Sequence, residues 1–328
     1  MTVNIAIVGP GKIAANQHMP ALAQVAGARL WSVLSRDLQR ATEFAITHQA
    51  QSPDPAHTDL EALLADPELN AVIIATPDKL HAEQAIACAA AGKHVLVEKP
   101  MATDIEDAKT MGEACRAAGV QLAVAYHLHW HDGHRRLVEM IRSGKLGDLR
   151  HMRVQWTFKS EDASNWRAHP EVGRWWSLAG VGTHCLDFIR WVMVPACGEV
   201  VSVKSLIANA VWRGPHDETA LLSMQFESGA TAEFCSSALF LSPYRAEIYG
   251  ENGHAICDGT LGPMGAGSIH VNDELLKFRE VNPFAGEISD FVSAIENDRP
   301  PEVGWKEGLR NVELLVAATT GDDGKDTV

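Results

Sequence analysis

Three things are scarce in this chain, and each scarcity removes a class of function. Basic residues are outnumbered: 28 Lys and Arg stand against 42 Asp and Glu, a formal net charge of −14 at pH 7. A surface of that sign repels phosphate backbones and anionic headgroups, so neither nucleic acid nor a membrane is expected as a partner. Long apolar runs are missing too. None approaches the ~18 residues that span a bilayer, and the opening MTVNIAIVGPGK has no basic stretch before its short apolar run, so no targeting or anchoring segment is expected. Paired cysteines are the third absence. The six, at 88, 115, 185, 197, 235 and 257, form no CxxC spacing. Their mostly apolar or small-residue surroundings suit thiols acting as small hydrophobes in a reducing cytoplasm. No internal repeat or low-complexity tract appears. What remains is an ordinary globular chain of 328 residues, 46% hydrophobic, enough for about two domains at roughly 150 residues each.

The first 125 residues alternate short β-rich runs with helical ones. VNIAIVG, ARLWSVLS, NAVIIAT, KHVLVEK and VQLAVAY read as strands; KIAANQHMPALAQV, RDLQRATEFAITH, TDLEALLAD, KLHAEQAIACAAAG and DIEDAKTMGEACRAAG read as the helices between them. Thr58 with Glu61 looks like a capping pair, and Gly92 and Gly119 look like helix stops. This alternation predicts an α/β domain over residues 1–125, a doubly wound parallel sheet with its ligand crevice at the strands' carboxyl ends. Residues 126–328 form a second, α+β domain. From about residue 148 the pattern becomes long alternating runs separated by ESG (227–229) and ENG (251–253), which predicts a mostly antiparallel sheet. GTHCLDFIRWVM interrupts it as a helix. EISDFVSAIEND and WKEGLRNVELLVAAT close the chain as amphipathic helices, the last with Leu309, Val312, Leu315 and Val316 on one face, and the tail GDDGKDTV is expected to fray.

GPGKIA follows the first strand directly and opens the first helix, the G-x-G-x-x-A form of the dinucleotide fingerprint. Gly9 permits the tight turn, Gly11 lets a pyrophosphate approach the backbone, and Ala14 lets helix pack on strand. Lys12 and Ile13 fall within the same cofactor loop. The second strand ends in Ser35 and Arg36, where an NAD-binding domain carries an acidic residue for the ribose hydroxyl. A small hydroxyl followed by a cation suits a 2′-phosphate, so NADP(H) is favoured over NAD(H). The other reading makes Ser35 the cap of the next helix, with Arg36 solvated.

ATPDKLHAEQAIACAAAGKHVLVEKPMA resembles the Gfo/Idh/MocA family of NAD(P)-dependent oxidoreductases, and the resemblance runs over nearly the whole chain. Thr76, Pro77 and His81 match the family's T-P-x-x-x-H, and Glu98, Lys99 and Pro100 match its E-K-P. The resemblance implies a Rossmann domain followed by an open-faced sheet domain, hydride exchange with a secondary alcohol or ketone of a sugar, cyclitol or similar polyol, no metal, and a homodimer or homotetramer. It also assigns Thr76, Pro77, His81, Glu98 and Lys99 to the cofactor site. Lys99 is the catalytic candidate, because hydride transfer at carbon needs a proton to leave or reach oxygen, and a cation in reach stabilises the alkoxide-like transition state.

In the second domain the family carries G-G-x-x-x-D-x-x-x-H-x-x-D; here the run is GRWWSLAGVGTHCLD. His184 and Asp187 match, which makes His184 a second proton carrier and Asp187 a substrate contact. Gly180 stands where the aspartate belongs. Trp175 and Trp176 either stack on substrate or belong to the core. In NWRAHPE, Trp166 and Arg167 resemble a segment of some sugar reductases; they line substrate or brace the loop. AYHLHWHDGH, with four histidines in eight positions, raises a metal site. Read as an extended segment, it turns His127 and His129 to one face as substrate contacts, while His131 and His134 open a helix as surface or packing residues. Tyr126 contacts substrate or packs. Two other readings stay open: a nucleotide-binding sensor that lost turnover with the aspartate at 180, and a redox-neutral lyase or isomerase holding its NAD tightly.

Overall fold

A computed structural model describes residues 2–320; the tail GDDGKDTV lies outside them. The chain divides into two compact units. One holds the chain up to His127 together with Phe284–Arg310, the other Leu128–Pro283 together with the chain from Asn311.

The first unit begins with β1 (Val3–Val8), a helical run over residues 12–22 that ends as α1 (Met19–Leu22), β2 (Ala28–Leu34), α2 (Leu38–Thr47), β3 (Ala56–His57) and α3 (Leu60–Leu64). It continues through β4 (Ala71–Ile74), α4 (His81–Ala90), β5 (His94–Val97), α5 (Ile105–Ala117) and β6 (Leu122–Val124). The sheet order is β3-β2-β1-β4-β5-β6 with every neighbouring pair parallel. This is the doubly wound parallel sheet expected from the alternation. β1, β4 and most of β5 are buried on both faces, which is why, Asn4 of β1 apart, they read as apolar runs rather than alternating ones. The strand order reverses between β1 and β4, where such sheets bind ligands. α3 is capped by Asp59, whose carboxylate accepts from the Ala62 N–H at 2.9 Å, rather than by Thr58. A carboxylate one residue further on reaches the same free amides.

The second unit contains α6 (Asp132–Arg142), β7 (Leu149–Thr157), α7 (Thr183–Cys197), β8 (Val200–Ala208), β9 (Thr219–Phe226), β10 (Thr231–Ser237), β11 (Arg245–Gly250), β12 (Gly253–Asp258), β13 (Ser268–Val271) and β14 (Glu274–Leu275). Its sheet runs β14-β13-β12-β11-β7-β10-β9-β8, antiparallel except where β7 meets β10. The expected turns close it: Gly229 N–H donates to Phe226 O at 2.8 Å after β9, and Gly250 pairs with Gly253 across the second turn. Leu137 and Ile141 of α6 and Leu186, Phe188 and Ile189 of α7 share a core with Met152, Val154, Leu222, Met224 and Phe234 of the sheet. The opposite face carries the exposed half of the alternation.

Two further helices follow, α8 (Pro283–Glu296) and α9 (Trp305–Thr320). Phe284, Ile288, Phe291 and Val292 of α8 pack in the first unit's core with Ile5 and Ile7, although the sequence pattern grouped this helix with the second domain. α9 buries Val312 and Leu315 as expected, with Asn311 and Leu314 beside them, while Leu309 and Val316 are only half-buried. All six cysteines are free and five are buried. Burial, helped by neighbouring Cys115, pushes the Cys88 thiol up to about 12, so it remains protonated at neutral pH. Among the described residues no helix is long and apolar enough to cross a membrane.

Candidate active site

In the first unit, β1 delivers the chain into Gly9 at φ +91°, with Gly9 N–H donating to Leu34 O at 3.0 Å. A Cβ at Gly9 would stand 2.8 Å from Ala75 O, so both the backbone angle and the close approach of the β4 exit require glycine. Gly11 is different: a Cβ there would meet nothing closer than 4.0 Å, leaving open space in front of the helix that starts at Lys12. The first amides of a helix have no partner within it and carry partial positive charge. Ala14 is buried against the sheet, Ile13 half-buried and Lys12 exposed. These residues fit the pyrophosphate of a dinucleotide.

At the exit of β2, Ser35 is half-buried and its hydroxyl accepts from the Asp37 N–H at 3.3 Å; Arg36 is exposed. Asp37, not Ser35, caps α2, accepting from the Gln39 and Arg40 amides at 2.9 and 3.4 Å. Ser35 is therefore not consumed as the cap. Arg40 was not anticipated. Its guanidinium donates from Nε and Nη2 to Pro10 O at 3.2 and 2.9 Å, tying α2 to the glycine turn.

The other wall comes from the ends of β4 and β5. Thr76 Oγ1 donates to Gln84 Oε1 at 2.6 Å, and Pro77 leads into a short turn before α4. His81 is fully buried, with Nδ1 at 3.0 Å from Pro100 O and Nε2 at 3.0 Å from Thr76 O, so it braces two loops. Glu98 is buried, and Lys99, which a solvated lysine would not be, is only 8% exposed. The Lys99–Pro100 bond is cis. His18, which sequence reasoning missed, places Nε2 at 2.9 Å from Glu98 Oε1. Its position on the fingerprint helix was the available signal. Tyr126 is wholly buried, and His127 stacks on Phe284 with ring centroids 4.5 Å apart.

The histidine stretch is not extended. After β6 the backbone turns, and His127–Trp130 forms one 3-10 turn before α6, so the alternation expected to align His127 and His129 is absent. In the second unit His129 Nε2 lies 2.9 Å from Asp187 Oδ2 and its ring stacks on Trp191. The other Asp187 oxygen accepts from Asn311 Nδ2 at 3.1 Å, Asn311 Oδ1 accepts from Arg190 at 3.0 Å, and Arg190 reaches Glu199 at 3.3 Å. Asp187 thus sits within a buried polar chain. His131 caps α6 and approaches Ala266 O at 3.1 Å; burial lowers its pKa and favours the neutral ring. His134 bonds Thr260 at 2.8 Å. Both are packing residues, not surface ones. Among the described residues no group of three or more His, Cys, Asp or Glu is arranged to hold a metal ion.

His184, near the start of α7, is buried with its ring stacked 5.3 Å from that of Trp156. Gly180 lies in the π turn ahead of α7, and a Cβ there would stand 2.9 Å from Phe158 Cε1. An aromatic ring borders the place where the aspartate was expected. Trp175 is 2% exposed and donates its indole N–H to Thr319 Oγ1 at 3.2 Å, so it belongs to the core rather than to a substrate surface. Trp176 is likewise buried, stacked on Trp212. Trp166 remains 36% exposed under the Arg167 guanidinium, 4.1 Å from its ring centre.

Comparison with known proteins agrees with this fold. Residues 3–126 match the NAD-binding Rossmann model of the GFO_IDH_MocA oxidoreductase family, and residues 134–256 match a C-terminal domain model of that family. An uncharacterised oxidoreductase of Synechocystis is 30% identical over 270 residues, covering 77% of this chain and 71% of that one. The 1,5-anhydro-D-fructose reductase of Ensifer adhaerens is 26% identical, covering 96% of both chains. A crystal structure of aldose-aldose oxidoreductase from Caulobacter crescentus, complexed with glycerol, shares the fold with a TM-score of 0.90 at 23% identity, over 97% of this chain and 96% of that one.

Proposed function

Because the chain belongs to the Gfo/Idh/MocA family of oxidoreductases, we propose that it transfers hydride between NADP(H) and a secondary alcohol or ketone of a sugar-, cyclitol- or other polyol-like substrate. The observation that carries this is Lys99: a buried lysine at the carboxyl end of β5, in the same parallel sheet as the glycine turn, and braced through Glu98 and Pro100.

A nicotinamide dinucleotide held by the glycine turn supplies the hydride transfer. The chain's residues handle the rest. Lys99 Nζ hydrogen-bonds the reacting oxygen, gives it a proton in reduction and takes one in oxidation, and its charge stabilises the developing alkoxide. His184 is the second proton carrier, proposed on its motif, since imidazole titrates near neutrality. With glycine at 180, no carboxylate from that position takes part. Trp166 and Arg167, partly exposed, support a role as substrate wall and hydroxyl donor.

The NADP(H) preference rests on the β2 exit. No carboxylate stands at Ser35 or Arg36, the Asp37 carboxylate is turned into its helix cap, and the exposed Arg36 supplies a cation. Six free cysteines support a reducing cytoplasm. Assembly as a homodimer or homotetramer is proposed through the uncovered sheet face of the second unit. One observation favours a second reading: a Phe158 ring, and no carboxylate, borders the place where the family's aspartate was expected, and a cofactor-binding sensor needs no carboxylate there.

The deciding experiment follows energy transfer from tryptophan to NADPH and to NADH, then assays 1,5-anhydro-D-fructose with NADPH and myo-inositol with NADP. Tighter NADPH binding with turnover that Lys99→Met reduces by about 10³-fold or more, at unchanged cofactor affinity, is the expected result. Cofactor binding without turnover across a wider polyol and ketose panel would move the protein to the sensor reading.

A further inference from the structure

We infer that His18 is a positioning residue for Lys99, acting through Glu98; this rests on the reading of Lys99 as the proton-handling group. The connection is two hydrogen bonds long. His18 Nε2 lies 2.9 Å from Glu98 Oε1, and Glu98 Oε2 accepts the backbone N–H of Lys99 at 3.2 Å. With Glu98 as the carboxylate, which only accepts, the proton of the first bond sits on Nε2. The imidazole therefore fixes the carboxylate, and the carboxylate fixes the peptide that carries the lysine side chain.

Local structure supports a purpose beyond packing. His18 closes a π turn, Ala14–His18, inside the fingerprint helix. Such a turn takes in one residue more than an α turn and rotates every following side chain around the helix axis; π turns recur at functional sites. Here it brings His18 to the buried side, against Phe284, whose ring it meets edge-on at 5.6 Å.

The arrangement is also expensive. His18 is fully buried, and its Nδ1 makes no hydrogen bond. Apolar residues at both 18 and 98 would fill this setting without desolvating an imidazole and a carboxylate, and a buried polar pair so replaced is often neutral or stabilising. Stability alone does not account for the histidine. On the other side of the lysine, His81 contacts Pro100 O and Thr76 O, so buried imidazoles hold the chain both before and after Lys99. Catalysis repays such bracing, because a misplacement of about 1 Å costs on the order of a hundredfold in rate.

The test uses the full-length protein as His18→Leu, His18→Gln and Lys99→Met. Amide exchange at Lys99 is read against the β1 amides, NADPH affinity by tryptophan energy transfer, and kcat and KM with NADPH and 1,5-anhydro-D-fructose as probe. His18→Leu, which takes this partner from the buried Glu98 carboxylate, is expected to melt below the parent yet remain folded and bind NADPH equally well. Its Lys99 amide should exchange about tenfold faster with β1 unchanged, and kcat should fall about 10- to 100-fold with KM little altered. His18→Gln, whose amide N–H can still donate to Glu98, should recover most of both losses. A Lys99 amide in His18→Leu as protected as in the parent overturns the inference, as does a His18→Gln no better than His18→Leu. Full kcat in His18→Leu beside an inactive Lys99→Met removes only the role of His18, whereas an active Lys99→Met removes the proposed function of the lysine. The exchange measurement needs no substrate and decides the bracing in either case.

Discussion

Arg36 and Arg40 sit four residues apart and do different work. Arg36 is exposed just before the cap of α2, while Arg40 is spent on the carbonyl of Pro10. The first is free to meet a 2′-phosphate and the second holds the turn that both cofactors use. Arg36→Ala should therefore weaken NADPH binding about tenfold or more, the loss of a charge-assisted hydrogen bond, while leaving NADH within about twofold. Arg40→Ala should weaken both alike. Parallel titrations decide it, and equal losses for both cofactors in Arg36→Ala would make Arg36 an ordinary solvated cation. At this scale His184 is proposed on its motif, and the glycine turn and the buried Lys99 were legible because motifs state them. His18 and Arg40 were not, since their partners Glu98 and Pro10 lie 80 and 30 residues away.

Among the elements, the approach to α7 shows how a helix start is held in a core. Asp217 accepts from the Trp176 and Leu178 amides at 2.8 and 2.7 Å and from the Ser177 hydroxyl at 2.6 Å. Burial outweighs these three bonds and raises the carboxyl above the usual Asp range. The folded state then binds the proton more readily than the unfolded one, so this group's contribution to stability falls as pH rises from the unfolded Asp pKa toward the raised folded value. Denaturant unfolding across that range should show the decline in the parent and lose it in Asp217→Asn. The amide should also cost about 1–3 kcal/mol near neutrality, because its NH2 would face a donor. A variant with the parental pH slope would remove Asp217 from the pH dependence. Sequence periodicity found α7 itself, but not the carboxylate that starts it from a distant loop. The histidine stretch failed differently: strand alternation was assumed to continue past β6, and the backbone folded into a 3-10 turn.

For the whole molecule, the second unit's open sheet face is the surface still to be accounted for. Along β8 and β9, Leu206 is 65% and Leu221 45% exposed, and they are register partners. Toward the middle, Arg153 stands beside Glu233 and Glu247 at 3.8 and 3.7 Å. Exposed leucines beside paired charges suit a self-complementary contact with a second copy. Leu206→Lys with Leu221→Lys should shift the light-scattering mass toward the monomer without lowering NADPH affinity. A mass unchanged by both substitutions would remove this face as a contact with a second copy.

The sequence by itself determined what local chemistry can encode: two domains' worth of alternating elements, the glycine turn, the lysine after the fifth strand, the absence of a carboxylate at 180. Each is fixed within a few residues, by backbone angle, periodicity or the identity of one side chain. Tertiary structure decided the rest. It put α8 into the first core, made Trp175 and the pair His131 and His134 packing residues, set Phe158 against Gly180, and joined His18 to Glu98. Those outcomes depend on which distant groups share one buried volume, and burial charges every unpaired polar atom enough to select a partner far along the chain.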